Sequence, residues 1–507
     1  MRAILQNRLG LTAILAFTLL LAGCTHSRQG KMILIGGYES EDKSLQAGVS
    51  DLFMSLAIVD NPGISRSNES AKCLRAYSET GGEVLFSPYS RNFDFTLNPP
   101  VFSLSVLAPG KKLPVKLRIR PYKEDSEYPV LELEADTRKS GKWETLVFDF
   151  SPLHPEDNIY STLEVQLPPG EWYLDEIMAP DDDLSDISLF RRYEGNPIFF
   201  PEGENNWRDA HIANAGILNP SQTPTGEWMM YIRGTGHTPD YHDQIGLFTQ
   251  SAEDFNPFGP WKEYEGNPVI PYSPKGAFDD YLLLDTAPVM GKDSVMYVYY
   301  KGRDYDMNSH IGVAYSTDGG YHFSKPGHPW REGRNGTGSA IYYDGKYWLF
   351  SGSRAFVSDD PLDGNNAEVI PTIQPGGAPS HFDDLVLWGT MVFRLDGVDK
   401  WFMAYQGSSR HIDFPDRFHI AVSDDLIHWE KVQNRQPLFT RGKEGQWDQG
   451  GMWCPEIEEH EGMLYLYYEG WGIDKKVKDR NENYFEGHSS VGVASCPKED
   501  FLRWCGI

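Results

Sequence analysis

From residue 32 to about 180 the chain runs in short stretches of four to eight residues with partial apolar–polar alternation, broken by turn residues. "EVLFSP", "VFSLSVLAP", "PVKLRIRPY", "PVLELEAD", "WETLVFDFS", "STLEVQLP" and "EWYLDEIMAP" are the clearest. Alternation at a period of two puts successive side chains on opposite faces of a strand, so this region is expected to be a β-sandwich over 32–180. "PDDDLSD", 180–186, is charged and led by proline, and reads as a linker.

Residues 187–507 repeat a template. "IGLFTQSAEDF", "IGVAYSTDGGYHF", "HIAVSDDLIHWE" and "VGVASCPKEDFLRW" each open as a strand, with Ser-x-Asp or similar and then an aromatic in the first three. Between them lie "EWMMYIRG", "SVMYVYYKG", "KYWLFSG", "KWFMAYQG" and "MLYLYYEG", aromatic-apolar strands that all end in glycine. One supersecondary unit repeated in this way buries its faces only against its neighbours. The expected fold is therefore all-β: an N-terminal β-sandwich followed by a five-bladed β-propeller.

Composition narrows the partners. The 507-residue chain is 13% aromatic, holds 49 glycines and 34 prolines, and carries a net charge of -27. Phosphate would be repelled, so nucleic acid is not an expected partner. "MRAILQNRLG" and "LTAILAFTLLLAG" form a basic and then a short apolar segment. The ending "LLAGC" resembles the bacterial lipobox, which implies cleavage before Cys24, lipidation of that residue, and an extracytoplasmic protein held to a membrane by its lipid. No later segment is apolar enough to cross a membrane. Among the remaining cysteines, Cys496 and Cys505 are near enough in sequence to close a C-terminal loop by a disulfide outside the cytoplasm. No close cysteine pair of metal-binding spacing occurs, and no metal or cofactor is expected.

Chemistry is expected at one mouth of the propeller channel. The start of each innermost strand and the end of the next meet there. Immediately before the terminal glycines stand Arg233, Lys301, Ser351, Gln406 and Glu469, polar and all different, where a purely structural repeat would reuse one residue. Arg303, Arg354, Arg410 and Trp471 follow the glycines. Asp209 and His211, Asp285, Asp383 and Asp384, and Asp448 with Glu456 stand at the beginnings of innermost strands. Asp285 is conspicuous in "LLLDTAPVM", because a lone carboxylate in an apolar strand costs several kcal/mol unless it is paired or used. The recurrence of acids before several blades reads as a structural turn bond for Asp280, Asp383 and Asp448, and Asp318 and Asp424 read as turn residues. Opposed carboxylates suit glycosidic cleavage, Trp471 offers a ring face for a sugar, and the arginines suit an anionic sugar.

The region from about 190 to 507 resembles the five-bladed propeller glycoside hydrolases of families 43, 32 and 117. The resemblance rests on the "NPIFF", "NPVI" and "QPLF" lead-ins, the "YSTDGGYHF" and "VSDDLIHWE" turns, "LLLDTAPVM" and "MWCPEI". It implies a base Asp in the first blade, an Asp in the second and a Glu acid later, positions that Asp209, Asp285 and Glu456 fit, with Glu469 as second acid candidate. Under this reading Asp209 is the base, and Asp285 orients substrate or tunes the acid. "GTGSAIYYDG" lacks the third-blade acid of families 43 and 32. The strand "GEWYLDEIMAP" resembles the last strand of jelly-roll carbohydrate-binding modules.

The expectation is thus a lipid-anchored glycoside hydrolase acting on a plant or algal carbohydrate, with Asp209, Asp285, Glu456 and Glu469 catalytic. His211, Arg233, Arg303, Arg354, Arg410 and Trp471 are expected to bind substrate. The alternatives are a non-catalytic glycan-binding lipoprotein and a propeller phosphorylase.

Overall fold

The computed structural model describes residues 32–36, 45–49, 54–65, 68–88, 92–121, 126–181, 183–203, 206–237, 241–333, 336–408, 415–443, 445–472, 476–478, 484–486 and 489–507. Cys24 with its leader, and Arg410, lie outside these residues. Among the described residues the regular structure is almost wholly antiparallel strand, with one α-helix, Lys498–Cys505.

Two antiparallel sheets form the N-terminal part. One runs Ser55–Asp60, Lys72–Ser78, Gly170–Pro180, Val101–Leu107, Trp143–Asp149, with Met32–Gly36 also paired to Gly170–Pro180. The other runs Leu45–Val49, Gly82–Pro88, Tyr160–Leu167, Pro114–Pro121, Leu131–Asp136. Their inward faces share one core, in which Leu74, Phe102, Phe148 and Trp172 meet Phe86, Ile119 and Leu163. In Trp143–Asp149 the alternation is plain: Leu146 and Phe148 are buried, while Val147 between them is 55% exposed.

Besides a two-stranded sheet formed by Lys476–Lys478 and Tyr484–Glu486, five further antiparallel sheets of three to five strands follow. Their first and second strands are His211–Leu218 and Trp228–Gly236, Leu282–Met290 and Met296–Arg303, Ala340–Tyr343 and Lys346–Ser351, Val386–Phe393 and Trp401–Ser408, and Gly451–His460 and Met463–Trp471. Each first strand packs against the next, and the fifth returns to the first, so the first strands line a closed ring. The fifth sheet takes its outer strand, Arg191–Arg192, from the chain segment that precedes the first sheet. The C-terminal helix buries Phe501 and Trp504 in the core between the fourth and fifth sheets.

The glycine of the template has a packing cause. A Cβ at Gly234, Gly302, Gly407 or Gly470 would lie 2.3 Å from Trp207, 2.8 Å from Phe278, 2.7 Å from Phe382 or 2.3 Å from Trp447. In these four sheets the aromatic ring that leads into the sheet lies across its second strand, and only a bare backbone leaves room for it. The acid after that ring is buried and tied outward. Asp279 Oδ2 accepts from Tyr300 Oη at 2.8 Å and from Lys325 Nζ at 2.7 Å. Asp448 Oδ2 accepts from Tyr468 Oη at 3.0 Å and Arg192 Nε at 2.9 Å, and Asp383 accepts from Lys431 Nζ. The first sheet reverses the charges: Arg208 Nη2 donates to Glu263 Oε2 at 2.8 Å.

Two expectations need correction. In the fourth sheet the turn acid is Asp425, whose Oδ1 accepts from Ile427 N at 2.9 Å and His428 N at 2.8 Å, as Asp318 accepts from His322 N at 3.1 Å. Asp424 instead pairs with Lys400 at 2.7 Å, because the turn needs its acid two residues after the serine, not one. The four described cysteines are all free, so Cys496 and Cys505 form no disulfide. Cys496 packs as a small apolar side chain in a core that Cys505 lines, and burial pushes both thiols up, Cys505 to about 12.

The two parts touch at the fourth sheet. Arg417 pairs with Asp94, both almost fully buried. Thr96 Oγ1 lies 3.1 Å from Ser380 Oγ, and the Tyr128 and His381 rings meet edge-on at 5.4 Å.

Candidate active site in the central pocket

In four of the five sheets the first strand is interrupted by a β-bulge at the same place. The residues there are Asn214, Asp285, Gly389 and Cys454, with φ of 47°, 55°, 55° and 50°. Left-handed backbone is disfavoured for a residue with a Cβ, so its recurrence at equivalent places marks a built feature of the ring. Gly389 is glycine for a local reason: a Cβ there would meet Gln406 Oε1 at 2.3 Å.

A bulge leaves backbone groups without ladder partners, and neighbouring sheets supply them. Thr286 Oγ1 of the second sheet donates to Asn214 O at 2.7 Å and to Tyr231 O at 3.1 Å in the first. Thr337 Oγ1, just before the third sheet, donates to Asp285 O in the second. Gln406 Oε1 of the fourth sheet accepts from Cys454 N of the fifth at 2.6 Å. Asn214 Nδ2 of the first sheet donates to Glu469 Oε2 at 2.7 Å and to Cys454 Sγ at 2.9 Å in the fifth.

The polar residues before the glycines stand beside these bulges. Arg233, Lys301, Gln406 and Glu469 pair with Ala213, Leu284, Trp388 and Trp453, the residues that immediately precede the four bulged ones. Ser351 Oγ donates to Gly336 O at 2.7 Å, next to the same ring. The variation among these five positions therefore belongs to one level of the molecule, around one pocket.

That pocket is lined by Asn214, Asp285, Thr337, Thr390, Cys454 and Glu456, among others. Asn214 Oδ1 and Thr390 Oγ1 are buried there without a hydrogen-bond partner among the described residues. Glu456 is buried, and desolvation, reinforced by neighbouring Glu458, raises its carboxyl well above the ordinary range. Glu458, also buried, is pushed up to about 8 by desolvation. Lys301 is lowered by burial, partly offset by attraction to Asp285. Cys454 is raised by burial, a direction that removes it as a thiolate nucleophile.

The expected site residues fall into distinct places. Asp285 and Glu456 line the pocket together. Glu469 sits at the bulge level with its oxygens occupied: Oε1 accepts from Trp471 Nε1 at 2.6 Å and Ser489 Oγ at 2.7 Å, and lies 3.4 Å from Arg233 Nη2. Arg233 also approaches Asp243 Oδ2 at 3.8 Å. Burial pulls that guanidinium down, and the two carboxylates outweigh it. Asp209 Oδ1 accepts from His237 N at 2.8 Å, the bond that Asp280 Oδ1 makes with Tyr305 N at 3.2 Å one sheet on. His211 accepts from Ser489 N at 3.0 Å, bonds Tyr241 Oη, and stacks on Trp471 with ring centres 5.8 Å apart. One face of Trp471 is thus covered. Arg303 Nε donates to Ser309 Oγ at 2.9 Å, and Arg354 is exposed over Phe356.

Sequence reasoning did not single out Asn214, Asp243 or Cys454. A signal for two of them was available: Asn214, Asp285, Gly389 and Cys454 each stand seven residues after Trp207, Phe278, Phe382 and Trp447. Asp243 carries no such mark, because only the pairing of Trp228–Gly236 with His242–Gln250 brings it to Arg233. Among the described residues no group of three His, Cys, Asp or Glu side chains is placed to hold a metal ion, and no helix is long and apolar enough to cross a membrane.

No family model and no curated protein matches this chain. Among solved structures it is similar to an N-acetylgalactosamine deacetylase from F. plautii in complex with blood group B trisaccharide, at 16% identity and a TM-score of 0.48, over 62% of this chain and 97% of that one. It is similar to the catalytic domain of the family-62 α-L-arabinofuranosidase of Coprinopsis cinerea at 12% identity and a TM-score of 0.44, over 61% of this chain and 97% of that one. A thermostable family-43 glycoside hydrolase aligns at 13% identity and a TM-score of 0.39, over 58% of this chain and 91% of that one. Likeness this slight leaves the chemistry to be read from the residues themselves.

Proposed function

We propose that the chain is a glycoside hydrolase, with a jelly-roll domain in front of a five-bladed β-propeller whose central pocket cleaves a glycosidic bond. The observation that carries this reading is the pocket shared by Asp285 and Glu456. Their surroundings differ. Glu456 is desolvated and beside another acid, which raises its carboxyl well above the ordinary range and favours the protonated form. Asp285 lies near the cation Lys301. Two carboxyl groups in contrasting environments can divide acid and base work. Glu456 donates its proton to the glycosidic oxygen as the C–O bond breaks. Asp285 takes the proton of the water that attacks the anomeric carbon, or stabilises the positive charge there. The turn bond of Asp209 favours Asp285 over Asp209 in this role. The unpartnered Asn214 Oδ1 and Thr390 Oγ1 offer hydrogen bonds to sugar hydroxyls entering the pocket. The "LLAGC" leader supports an exported lipoprotein anchored at Cys24.

A second reading is a glycan-binding protein without turnover. It is favoured by the ring itself: the places equivalent to Asp285 hold Asn214, Gly389 and Cys454, and none is a carboxylate. The two readings separate on product release from a panel of polysaccharides and oligosaccharides, with Asp285→Asn and Glu456→Gln run beside wild type. The hydrolase reading expects turnover in wild type, a loss of at least about a hundredfold in either variant, and retained saccharide binding. Binding with no product in all three proteins would overturn it in favour of the second reading.

A further inference from the structure

Most half-buried cations of this chain hold a carboxylate: Arg118, Arg192, Arg208, Arg417, Lys325 and Lys431 all do. Among the described residues, four cations on the second and third sheets do not. Arg303 makes its side-chain bond to Ser309 Oγ at 2.9 Å. Arg331 Nη1 donates to Gly364 O at 2.7 Å, and its guanidinium lies 4.4 Å from the Phe356 ring centre. Arg354 lies over the same ring at 5.9 Å. Lys301 extends past Gly336 beside Asp285, near enough to be attracted by it, without forming an ion pair.

Strand register puts these side chains at one end of two adjacent sheets. Arg303 pairs with Ser309, Arg331 bridges Ile311, and Arg354 pairs with Ser351. This is the end at which the second strands reach the mouth of the pocket. Acidic residues outnumber Lys and Arg 73 to 46 in the chain, so cations gathered with no ion pair on any of them among the described residues run against composition. The gathering also has an energetic cost, since Arg331 is lowered by burial and by repulsion from Arg354. Across the mouth the fourth and fifth sheets present aromatic surface. Trp388, 39% exposed, and Trp453 stand one residue before their bulges.

We infer that the pocket takes an anionic glycan, with its carboxylate or sulfate ester bound by Lys301, Arg303 and Arg354 and a sugar ring face against Trp388. Guanidinium forks match the paired oxygens of either group, and a sugar ring has an apolar face that stacks on indole. The inference rests on the saccharide reading of the pocket and adds the charge of the ligand.

The test is calorimetric titration with three oligosaccharide sets of matched length: an oligogalacturonate, a sulfated galactan and a neutral galactan. Wild type is expected to bind one acidic set at least about tenfold more tightly than the neutral one, with a preference that falls as salt is raised. The acidic set that binds distinguishes carboxylate from sulfate ester. Arg303→Met/Arg354→Met should erase the preference while leaving neutral binding within about twofold, and Arg303→Lys/Arg354→Lys should restore part of it. A melting curve matching wild type shows that the variants fold. Equal binding of acidic and neutral sets overturns the inference and leaves the saccharide reading standing. No binding or cleavage of any saccharide overturns both.

Discussion

Asp285 holds a left-handed backbone at φ 55°, a conformation that costs a residue with a Cβ about 1 kcal/mol or more. Thr337, just before the neighbouring sheet, bonds the carbonyl that the bulge exposes, and so keeps the carboxylate in the pocket. Glu458 shows a different use of burial. Its folded-state value of about 8 means that the folded chain keeps a proton which the unfolded chain releases above the ordinary glutamate value. Stability should therefore fall as pH rises from about 4.3 toward 8, by up to about 1.4 kcal/mol per unit. Glu458→Gln should remove this slope. In calorimetric melts the Tm of the variant relative to wild type should rise steadily between pH 5 and pH 8, and a constant difference would show that Glu458 does not titrate in that window.

At the scale of the element, four of the five sheets of the ring are each organised by one crossing of ring over backbone. Trp207, Phe278, Phe382 and Trp447 lie across Gly234, Gly302, Gly407 and Gly470, and the first strand then reaches its bulge seven residues further on. The crossing fixes the distance from lead-in to pocket, and so sets which residue of the strand stands at the pocket. A Cβ at Gly470 would press on Trp447 at 2.3 Å, with Asp448 behind it at 2.7 Å. Gly470→Ala should cost about 1–3 kcal/mol in urea unfolding, as overpacking in a closed core does. Gly63→Ala, where nothing lies within 4 Å of the added carbon, should change stability by less than about 0.5 kcal/mol.

The whole molecule is held by contacts far apart in sequence. Arg191–Arg192 completes the fifth sheet, so the ring closes on its own beginning. Arg417 of the fourth sheet pairs with Asp94 of the N-terminal part, where both are nearly inaccessible to water. Asp94→Ala would leave a buried guanidinium without its partner, at a cost of about 3–5 kcal/mol. Chemical unfolding followed by tryptophan fluorescence should show that loss. Asp94→Ala combined with Arg417→Met should recover much of it, because the uncompensated charge is gone. A double variant no better than the single one would mean that shape, not charge, holds this contact.

Much of this organisation could be read from the chain alone, because it depends on local rules. Alternation at a period of two marked the strands, and the recurring glycine-ended stretches marked the repeat. Asp285 stood out because an isolated charge in an apolar strand has to be accounted for wherever the strand lies. The five dissimilar residues before the glycines pointed to the ring, since equivalent positions that differ have been released from a common structural duty. Other assignments waited on tertiary structure. Asp209 reads as a base in sequence, and its bond from His237 N is made only when the end of the second strand comes back past the start of the first. Glu469 lies on the fifth sheet and Asn214 and Arg233 on the first, and their encounter depends on the closure of the ring, whereas Asp243 reaches Arg233 by strand pairing within the first sheet. Whether Cys496 and Cys505 would bond was settled by the packing of a strand end and a helix, which left both free. Local periodicity is a property of neighbours in the chain, whereas the charge and burial of a pocket belong to groups that only folding brings together.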